Sequence, residues 1–358
     1  MKRVMIMAGG TGGHVFPALA VAEELRLRDV EVSWIGTAHG IEAKLVPAAG
    51  YLLSEIKVKG LRGNGVLGWL MAPFKVVKAV LEAGSLIRQL KPDVVMGLGG
   101  FASGPGGFAA WLMGKPLIIH EQNAIPGLTN RLLAKLADKV LTGFPDSFDK
   151  KIDAEWVGNP VRKTIEDLPM PHLRQTEKSG RLNLLVLGGS LGARSLNTFV
   201  PQALAKISAD HRPEVIHQCG SKHSDDCRRS YKDAGVEADV KEFIEDMAAA
   251  YAWADLVICR AGALTVAEVA AAGIASILVP YPYAVDDHQT HNAAVLVDAN
   301  AAILMADQHL DADVIANTVR RLDGDREGLL NMANAARQVA KMGTAAHIAD
   351  ICMEAANG

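Results

Sequence analysis

The chain has 358 residues, 49% hydrophobic and 22% charged, enough apolar side chain for two cores, which excludes a disordered chain or one small module. Its 34 glycines and 15 prolines follow no fixed period, so a collagen-like fibre is excluded as well. The formal net charge of −3 conceals an asymmetry: residues 1–165 hold 20 Lys and Arg against 14 Asp and Glu (+6), residues 166–358 hold 17 against 26 (−9), and the two halves therefore face different partners.

At the N-terminus Lys2 and Arg3 precede only Val4–Ala8, an apolar run too short for a secretory signal, so a cytoplasmic location is expected. Val4–Ala8 reads instead as a buried strand, Gly9-Gly10-Thr11-Gly12-Gly13-His14 as the turn after it and Phe16–Leu27 as a helix. Such a turn either offers backbone N–H groups and a helix dipole to a phosphate or other anion, or is simply a tight turn. It is not G-x-G-x-x-G, and Glu31 opens the next strand, Val32–Ile35, where a ribose-binding acid of a dinucleotide fold would close it. His14, just after the glycines, is a candidate general base or else a capping and packing residue; a helix N-terminus would lower its pKa and keep it neutral.

Between Lys57 and Lys91 seven basic residues meet one acid, Glu82, interleaved with Leu67, Trp69, Leu70, Met71, Phe74, Val77 and Leu81. Two explanations stand: shallow docking on an anionic bilayer, or an amphipathic helix whose apolar stripe packs inward. Nucleic acid is a poorer partner, because aromatics are only 5% and the net charge is negative.

Val94–Leu98 is the next strand, followed by the glycine-rich loop Gly97–Gly107. Gly114-Lys115 runs into Pro116 and lacks the upstream glycine of a Walker A loop, which excludes ATP hydrolysis by that route. Strand Leu117–His120 ends in His120-Glu121-Gln122-Asn123, whose tips are expected to emerge at the sheet rim, either reading a polyhydroxylated ligand or capping the helix Leu128–Ala137. Asn159-Pro160 to Gly180, with Pro169, Pro171 and the polar run Arg174–Arg181, reads as a linker.

Beyond it the opening pattern returns: Leu184–Leu187 and Gly188-Gly189-Ser190 repeat Val4–His14 about 180 residues on, as a strand, a glycine turn and a helix. Each copy opens one domain, and ligands are expected outside the strand ends, in a cleft between the two. Strands Val215–Gln218, Leu256–Cys259 and Ile277–Val279 follow, with the helix Leu264–Ala272, so the fold class is α/β with parallel sheets. The uncharged run Val269–Val285 is broken by Gly273, Pro280 and Pro282 and is no spanning helix. In Cys259–Glu268, Glu268 falls in the early turns of a helix, where it either accepts both ribose hydroxyls of a nucleotide or is a dipole-matched surface acid. Asp286–Asn292, with His288 and His291, lacks the converging ligands of a metal site and reads as solvated polar residues. Cys219, Cys227, Cys259 and Cys352 form no C-x-x-C pair and read as reduced, buried thiols.

In order, GGTGGH (Gly9–His14), GGFASGPGG (Gly99–Gly107), HEQN (His120–Asn123), GNPVR (Gly158–Arg162), GGSLGAR (Gly188–Arg194), EFIEDM (Glu242–Met247), CRAGALTVAE (Cys259–Glu268) and the Gln289/Asn292 pair resemble the MurG-type N-acetylglucosaminyltransferases of glycosyltransferase family 28 over essentially the whole chain. The resemblance implies a GT-B fold of two Rossmann-like domains facing a central cleft. Residues 1–163 would bind acceptor and membrane, 164–341 would bind the nucleotide-sugar, and 342–358 would cross back to the first domain. It implies an inverting transfer of N-acetylglucosamine from UDP-N-acetylglucosamine to the 4-hydroxyl of undecaprenyl-pyrophosphoryl-N-acetylmuramoyl pentapeptide (lipid I), giving lipid II. This is a step of cell-wall synthesis, hence of cell shape and division, at the cytoplasmic side of the inner membrane, with anionic lipids as a further partner and no cofactor or metal.

By resemblance His14 is the catalytic base and Glu268 holds the ribose. Ile244 offers backbone bonds to uracil, and Ser190 and Arg162 address the diphosphate. Thr11, Gly12, Gly13, Asn123, Ala263, Leu264, Thr265, Val266, Ala267 and Gln289 complete the donor side, and Gly100, Phe101, Ser103, His120 and Glu121 are acceptor-side candidates. The family usually carries Tyr at Phe101, Gln at Leu191 and Gln at His288. A UDP-sugar 2-epimerase or a non-catalytic nucleotide-sugar binding module are the rival functions.

Overall fold

The computed structural model describes residues 1–57, 72–175, 180–189 and 192–357, and the chain divides into two compact units, Met1–Arg162 with Gly343–Gly358, and Lys163–Met342. Among the described residues the first holds seven strands: β1 (Arg3–Met7), β2 (Glu31–Gly36), β3 (Leu52–Glu55), β4 (Val94–Gly97), β5 (Leu117–Glu121), β6 (Lys139–Thr142) and β7 (Ala154–Trp156). They pair in the order β3-β2-β1-β4-β5-β6-β7, all parallel. The second holds β8 (Asn183–Leu187), β9 (Glu214–Gln218), β10 (Asp239–Lys241), β11 (Leu256–Cys259), β12 (Ala275–Leu278) and β13 (Ala302–Leu304) in the order β10-β9-β8-β11-β12-β13. The repeat expected from sequence thus has a structural counterpart: β1 and β8 occupy the same central place, and the strand order reverses beside each of them. The carboxyl ends of β1 and β4, and of β8 and β11, open at these switch points, where doubly wound sheets take their ligands.

Burial follows from parallel pairing, since helices cover both faces. Along β1, Val4 and Ile6 join one core with Val21, Leu25, Ile348 and Cys352, while Met5 and Met7 join another with Ala83, Ile87 and Ala109. The helix Thr344–Ala355 is therefore part of the first unit; its Thr344 Oγ1 donates to the Val157 carbonyl at 2.9 Å. From Lys163 on, the expected linker belongs to the second unit. In its helix Pro171–Gln175, Arg174 donates to the carbonyls of Tyr251, Ala272 and Gly273, and burial lowers its pKa to about 10. Gly273 itself ends the helix Ala263–Ala272 in the left-handed region (φ 62). All four cysteines are free and buried, and desolvation raises Cys227, Cys259 and Cys352 to about 12.

Of the basic, apolar stretch between Lys57 and Lys91, residues 58–71, including Leu67, Trp69, Leu70 and Met71, lie outside the described residues. The helix Ala72–Leu90 uses two faces: Ala79, Ala83 and Ile87 are buried, whereas Phe74, Val77 and Leu81 are 71%, 58% and 68% exposed at helical spacing. Next to it packs the helix Ser103–Leu112, exposing Trp111 and Leu112, and next to that Leu128–Leu133, exposing Leu128 and Leu132. Among the described residues no helix is long and apolar enough to cross a membrane.

Candidate functional site

The first unit gathers three loops at the ends of β1, β4 and β5. After β1 the helix Gly12–Leu27 starts at once, with Thr11 as N-cap, so the first-turn amides of Gly12 and Gly13 have no intrahelical acceptor. The Thr11 hydroxyl is 3.2 Å from His14 Nδ1 instead of capping the helix. The loop after β4 presses on this turn. Gly99 has φ 97, and a Cβ there would stand 2.7 Å from His14 Cδ2 and 2.9 Å from Nε2; Gly100 (φ 86) has the Gly9 carbonyl in the same position. Neither place admits a side chain. The ring of His14 is half-buried, and burial holds its pKa below the ordinary value of 6.5, against the opposing fields of Glu121 and Glu42. The imidazole is thus neutral at pH 7, with a nitrogen able to take a proton.

Phe101 is 56% exposed beside this turn, but Ser103 is fully buried: its Oγ accepts from Gly99 N–H (3.1 Å) and lies within donating reach of the carbonyls of Met7 (2.8 Å) and Gly99 (2.7 Å). It staples the glycine loop to β1. The expectation that His120, Glu121 and Gln122 emerge at the rim is corrected, because all three are buried. Gln122 Nε2 donates to His120 Nδ1 (3.0 Å), which leaves His120 Nε2–H to donate to the Gly158 carbonyl (2.8 Å); this neutral tautomer fits a pKa lowered by burial to about 4. Glu121 accepts from Asn123 N (2.9 Å), Asn123 Nδ2 (3.2 Å), Gly127 N (3.1 Å) and Asn130 Nδ2 (2.9 Å). Only Asn123 of the four is half-exposed. Arg162 places its guanidinium 5.5 Å from the Phe16 ring centroid.

In the second unit Ser190 and Leu191 lie outside the described residues, while Gly188 and Gly189 close β8 and the helix Arg194–Ala205 begins after N-cap Ala193. The helix Ala263–Ala272 starts directly after the loop that follows β11, with Gly262 as N-cap, so the amides of Ala263, Leu264 and Thr265 form its open first turn. Val266 and Glu268 are buried, Ala267 is half-buried, and Glu268 Oε2 accepts from Tyr251 OH at 3.1 Å. Ile244 is buried in the loop before Asp246, whose carboxylate caps the helix Met247–Trp253 through Ala249 N. Gln289 Oε1 accepts from Tyr281 N (2.9 Å), and Asn292 Nδ2 donates to the Ala261 carbonyl (3.2 Å), tying the helix His288–Asp298 to the loop after β11.

Sequence reasoning passed over two groups here. Tyr251 orients Glu268, and Arg260 joins Asp307 (2.5 Å), Ser195 Oγ (2.9 Å) and the carbonyls of Val279 and Pro280 (3.2 Å each), fastening three loops together. Glu268 lies 17 residues from Tyr251, and Asp307 and Ser195 lie 47 and 65 residues from Arg260, so no local pattern announces them.

Two family models cover most of the chain: the glycosyltransferase family 28 N-terminal domain matches residues 4–142, and the family 28 C-terminal domain matches residues 183–349. A relative from Nitrosococcus oceani named UDP-N-acetylglucosamine--N-acetylmuramyl-(pentapeptide) pyrophosphoryl-undecaprenol N-acetylglucosamine transferase is 55% identical over 356 residues, 99% of each chain. Its namesake from Aeromonas hydrophila is 54% identical over 100% of this chain and 98% of its own. The crystal structure of Acinetobacter baumannii MurG aligns with a TM-score of 0.84 at 42% identity, covering 99% of this chain and 100% of that one. With two Rossmann-like parallel-sheet units of the GT-B type and this similarity along its whole length, the chain belongs to glycosyltransferase family 28.

Proposed function

We infer that the chain is an inverting hexosyltransferase that moves N-acetylglucosamine from UDP-N-acetylglucosamine to the 4-hydroxyl of the lipid-linked N-acetylmuramoyl pentapeptide, converting lipid I to lipid II in peptidoglycan synthesis. The observation that carries this is full-length identity above one half to relatives bearing that activity in their names. In the reaction the acceptor oxygen attacks the anomeric carbon from the face opposite the diphosphate, the C–O bond to UDP breaks, and the hydroxyl proton passes to His14. The N–H groups of Thr11 to Gly13 and of Ala263 to Thr265, with Arg162 and Ser190, receive the charge growing on the leaving diphosphate. Glu268 takes the ribose hydroxyls, Ile244 addresses uracil through its backbone, and Asn123 and Gln289 contact the diphosphate or sugar. Gly100 and Phe101 border the acceptor. Ser103, His120 and Glu121, whose polar atoms are engaged within the unit, hold the loops of that side in place.

UDP release from UDP-N-acetylglucosamine, measured with and without a lipid-linked muramoyl acceptor, tests the activity. Acceptor-dependent release is expected. A free or epimerised sugar without acceptor would mark an epimerase, and UDP protection without turnover a binding module. Replacing Glu268 by Ala should raise the donor KM by about tenfold or more, the loss of charge-assisted bonds to two hydroxyls, with a smaller change in kcat. An unchanged donor KM removes Glu268 from the ribose.

The exposed Phe74, Val77, Leu81, Trp111, Leu112, Leu128 and Leu132, with Lys75 and Lys78 on the same helix as the first three, support peripheral docking on the anionic cytoplasmic face of the inner membrane. Sedimentation with liposomes should require anionic lipid and weaken as salt rises from 0.05 to 0.5 M, values on the order of those that shrink the screening length severalfold. Equal binding to neutral vesicles contradicts this docking.

A further inference from the structure

At the carboxyl edge of the second sheet one side-chain triad joins the ends of four strands that lie side by side, β8, β11, β12 and β13. Ser195 is in the first turn of the helix Arg194–Ala205 after β8, Arg260 directly follows β11, Val279 and Pro280 follow β12, and Asp307 opens the turn Asp307–His309 after β13. Asp307 Oδ1 accepts from Arg260 Nη1 and from Ser195 Oγ, both at 2.5 Å, and Ser195 Oγ accepts in turn from Arg260 Nη2 at 2.9 Å, so the three groups close a ring. The side chains of Arg260 and Asp307 are 14% and 17% exposed, and removing either leaves a sheltered charge behind.

The triad reaches the donor side through a single peptide group. Arg260 Nη1 also donates to the carbonyls of Val279 and Pro280 at 3.2 Å each, and the guanidinium carbon stands 5.6 Å from the Tyr281 ring centroid. The Pro280 carbonyl and the Tyr281 N–H are the two ends of one planar peptide, and that N–H donates to Gln289 Oε1 at 2.9 Å. With its oxygen engaged there, the Gln289 amide is left to offer its NH2, which can only donate. We propose that Asp307 is a positioning residue for the nucleotide-sugar: it holds Arg260, Arg260 holds the plane of the Pro280–Tyr281 peptide, and that plane fixes the Gln289 amide with its NH2 free for the donor. Nη1 shares two hydrogens among three acceptors, and the carboxylate, the nearest and the charged one, decides where the guanidinium sits. The orientation matters because a diphosphate presents only acceptor oxygens: an NH2 bonds them, whereas a turned Gln289 would aim its carbonyl oxygen at them. A triad that merely stiffened the strand ends would weaken donor binding by the same factor whatever residue stood at 289.

The proposal rests on Gln289 touching the donor, and a double-mutant cycle separates the two. Binding of UDP-N-acetylglucosamine is read by titration calorimetry, and donor KM and kcat from UDP release with the lipid acceptor. Asp307→Ala should weaken donor binding and raise donor KM about fivefold while kcat changes less than about twofold, and Gln289→Ala should do about the same. In the double variant the Asp307 substitution should add less than about twofold, because its effect passes through a side chain already removed. The same weakening by Asp307→Ala in both backgrounds overturns the proposal, and so does unmoved donor affinity in a folded Asp307→Ala protein. Normal donor binding in Gln289→Ala would instead defeat the contact of Gln289 with the donor, and the proposal with it. Should Asp307→Ala not fold, Asp307→Asn, which keeps the outline and an acceptor oxygen, runs the same cycle with an expected loss of about threefold. Failure of both variants to fold makes the triad scaffolding and overturns its part in donor binding.

Discussion

His14→Ala should lower kcat by about 10²- to 10⁴-fold, the usual worth of a positioned general base, with UDP-N-acetylglucosamine affinity nearly unchanged. The ring stands in the first turn of the helix Gly12–Leu27, half-buried, with its pKa pushed down chiefly by desolvation. A lowered pKa keeps the neutral, proton-accepting ring populated below the ordinary histidine range, so activity should persist under pH 6.5 and fail only as pH drops through the depressed midpoint. Steady-state kinetics of UDP release with lipid acceptor, run with a melting curve of the variant, check both parts. Since the ring's named contacts are Thr11 and the glycines around it, the melting temperature should hardly move. Unaltered turnover would take His14 out of the reaction.

Glu121→Ala should be the most destabilising of the substitutions considered. The carboxylate is 3% exposed and accepts four hydrogen bonds, two of them from the main chain of the segment between β5 and the helix Leu128–Leu133. Its removal leaves those donors facing a dry cavity, at a cost of about 3 kcal/mol or more. For a unit of this size that corresponds to roughly 6–12 °C in melting temperature. Thermal unfolding followed by circular dichroism, with hydrogen exchange of residues 121–133, measures it. A shift under about 2 °C would mean that water or a rearranged segment satisfies the donors.

The central strands were legible because residues buried on both faces make continuous apolar runs such as Val4–Ala8 and Leu184–Leu187. The edge strands β3, β7, β10 and β13, and β6 beside β7, were not, being three or four residues long with exposed or polar positions, as in Asp239–Lys241. The glycine loops were readable as devices at strand ends, since their spacing encodes a turn whatever the surrounding fold. The orientation of His120, Glu121 and Gln122 was not. Period-two alternation assigns faces, but at the end of a doubly covered strand both faces are inside, and the partners Gly158 and Asn130 arrive from 38 and 9 residues away. Asp307 was overlooked for a similar reason: in sequence it is an ordinary acid in a short turn, and only the fold brings Ser195 and Arg260 to it.

The helix Thr344–Ala355 has a consequence for biosynthesis. Because Ile348 and Cys352 complete the same core as Val21 and Leu25, the unit begun first on the ribosome lacks part of its interior until the helix Thr344–Ala355 has left the exit tunnel. Lys163–Met342 has by then wholly emerged. Vectorial synthesis therefore favours maturation of the unit Lys163–Met342 ahead of the older segment, whose last hydrophobic face is sealed only once Thr344–Ala355 emerges.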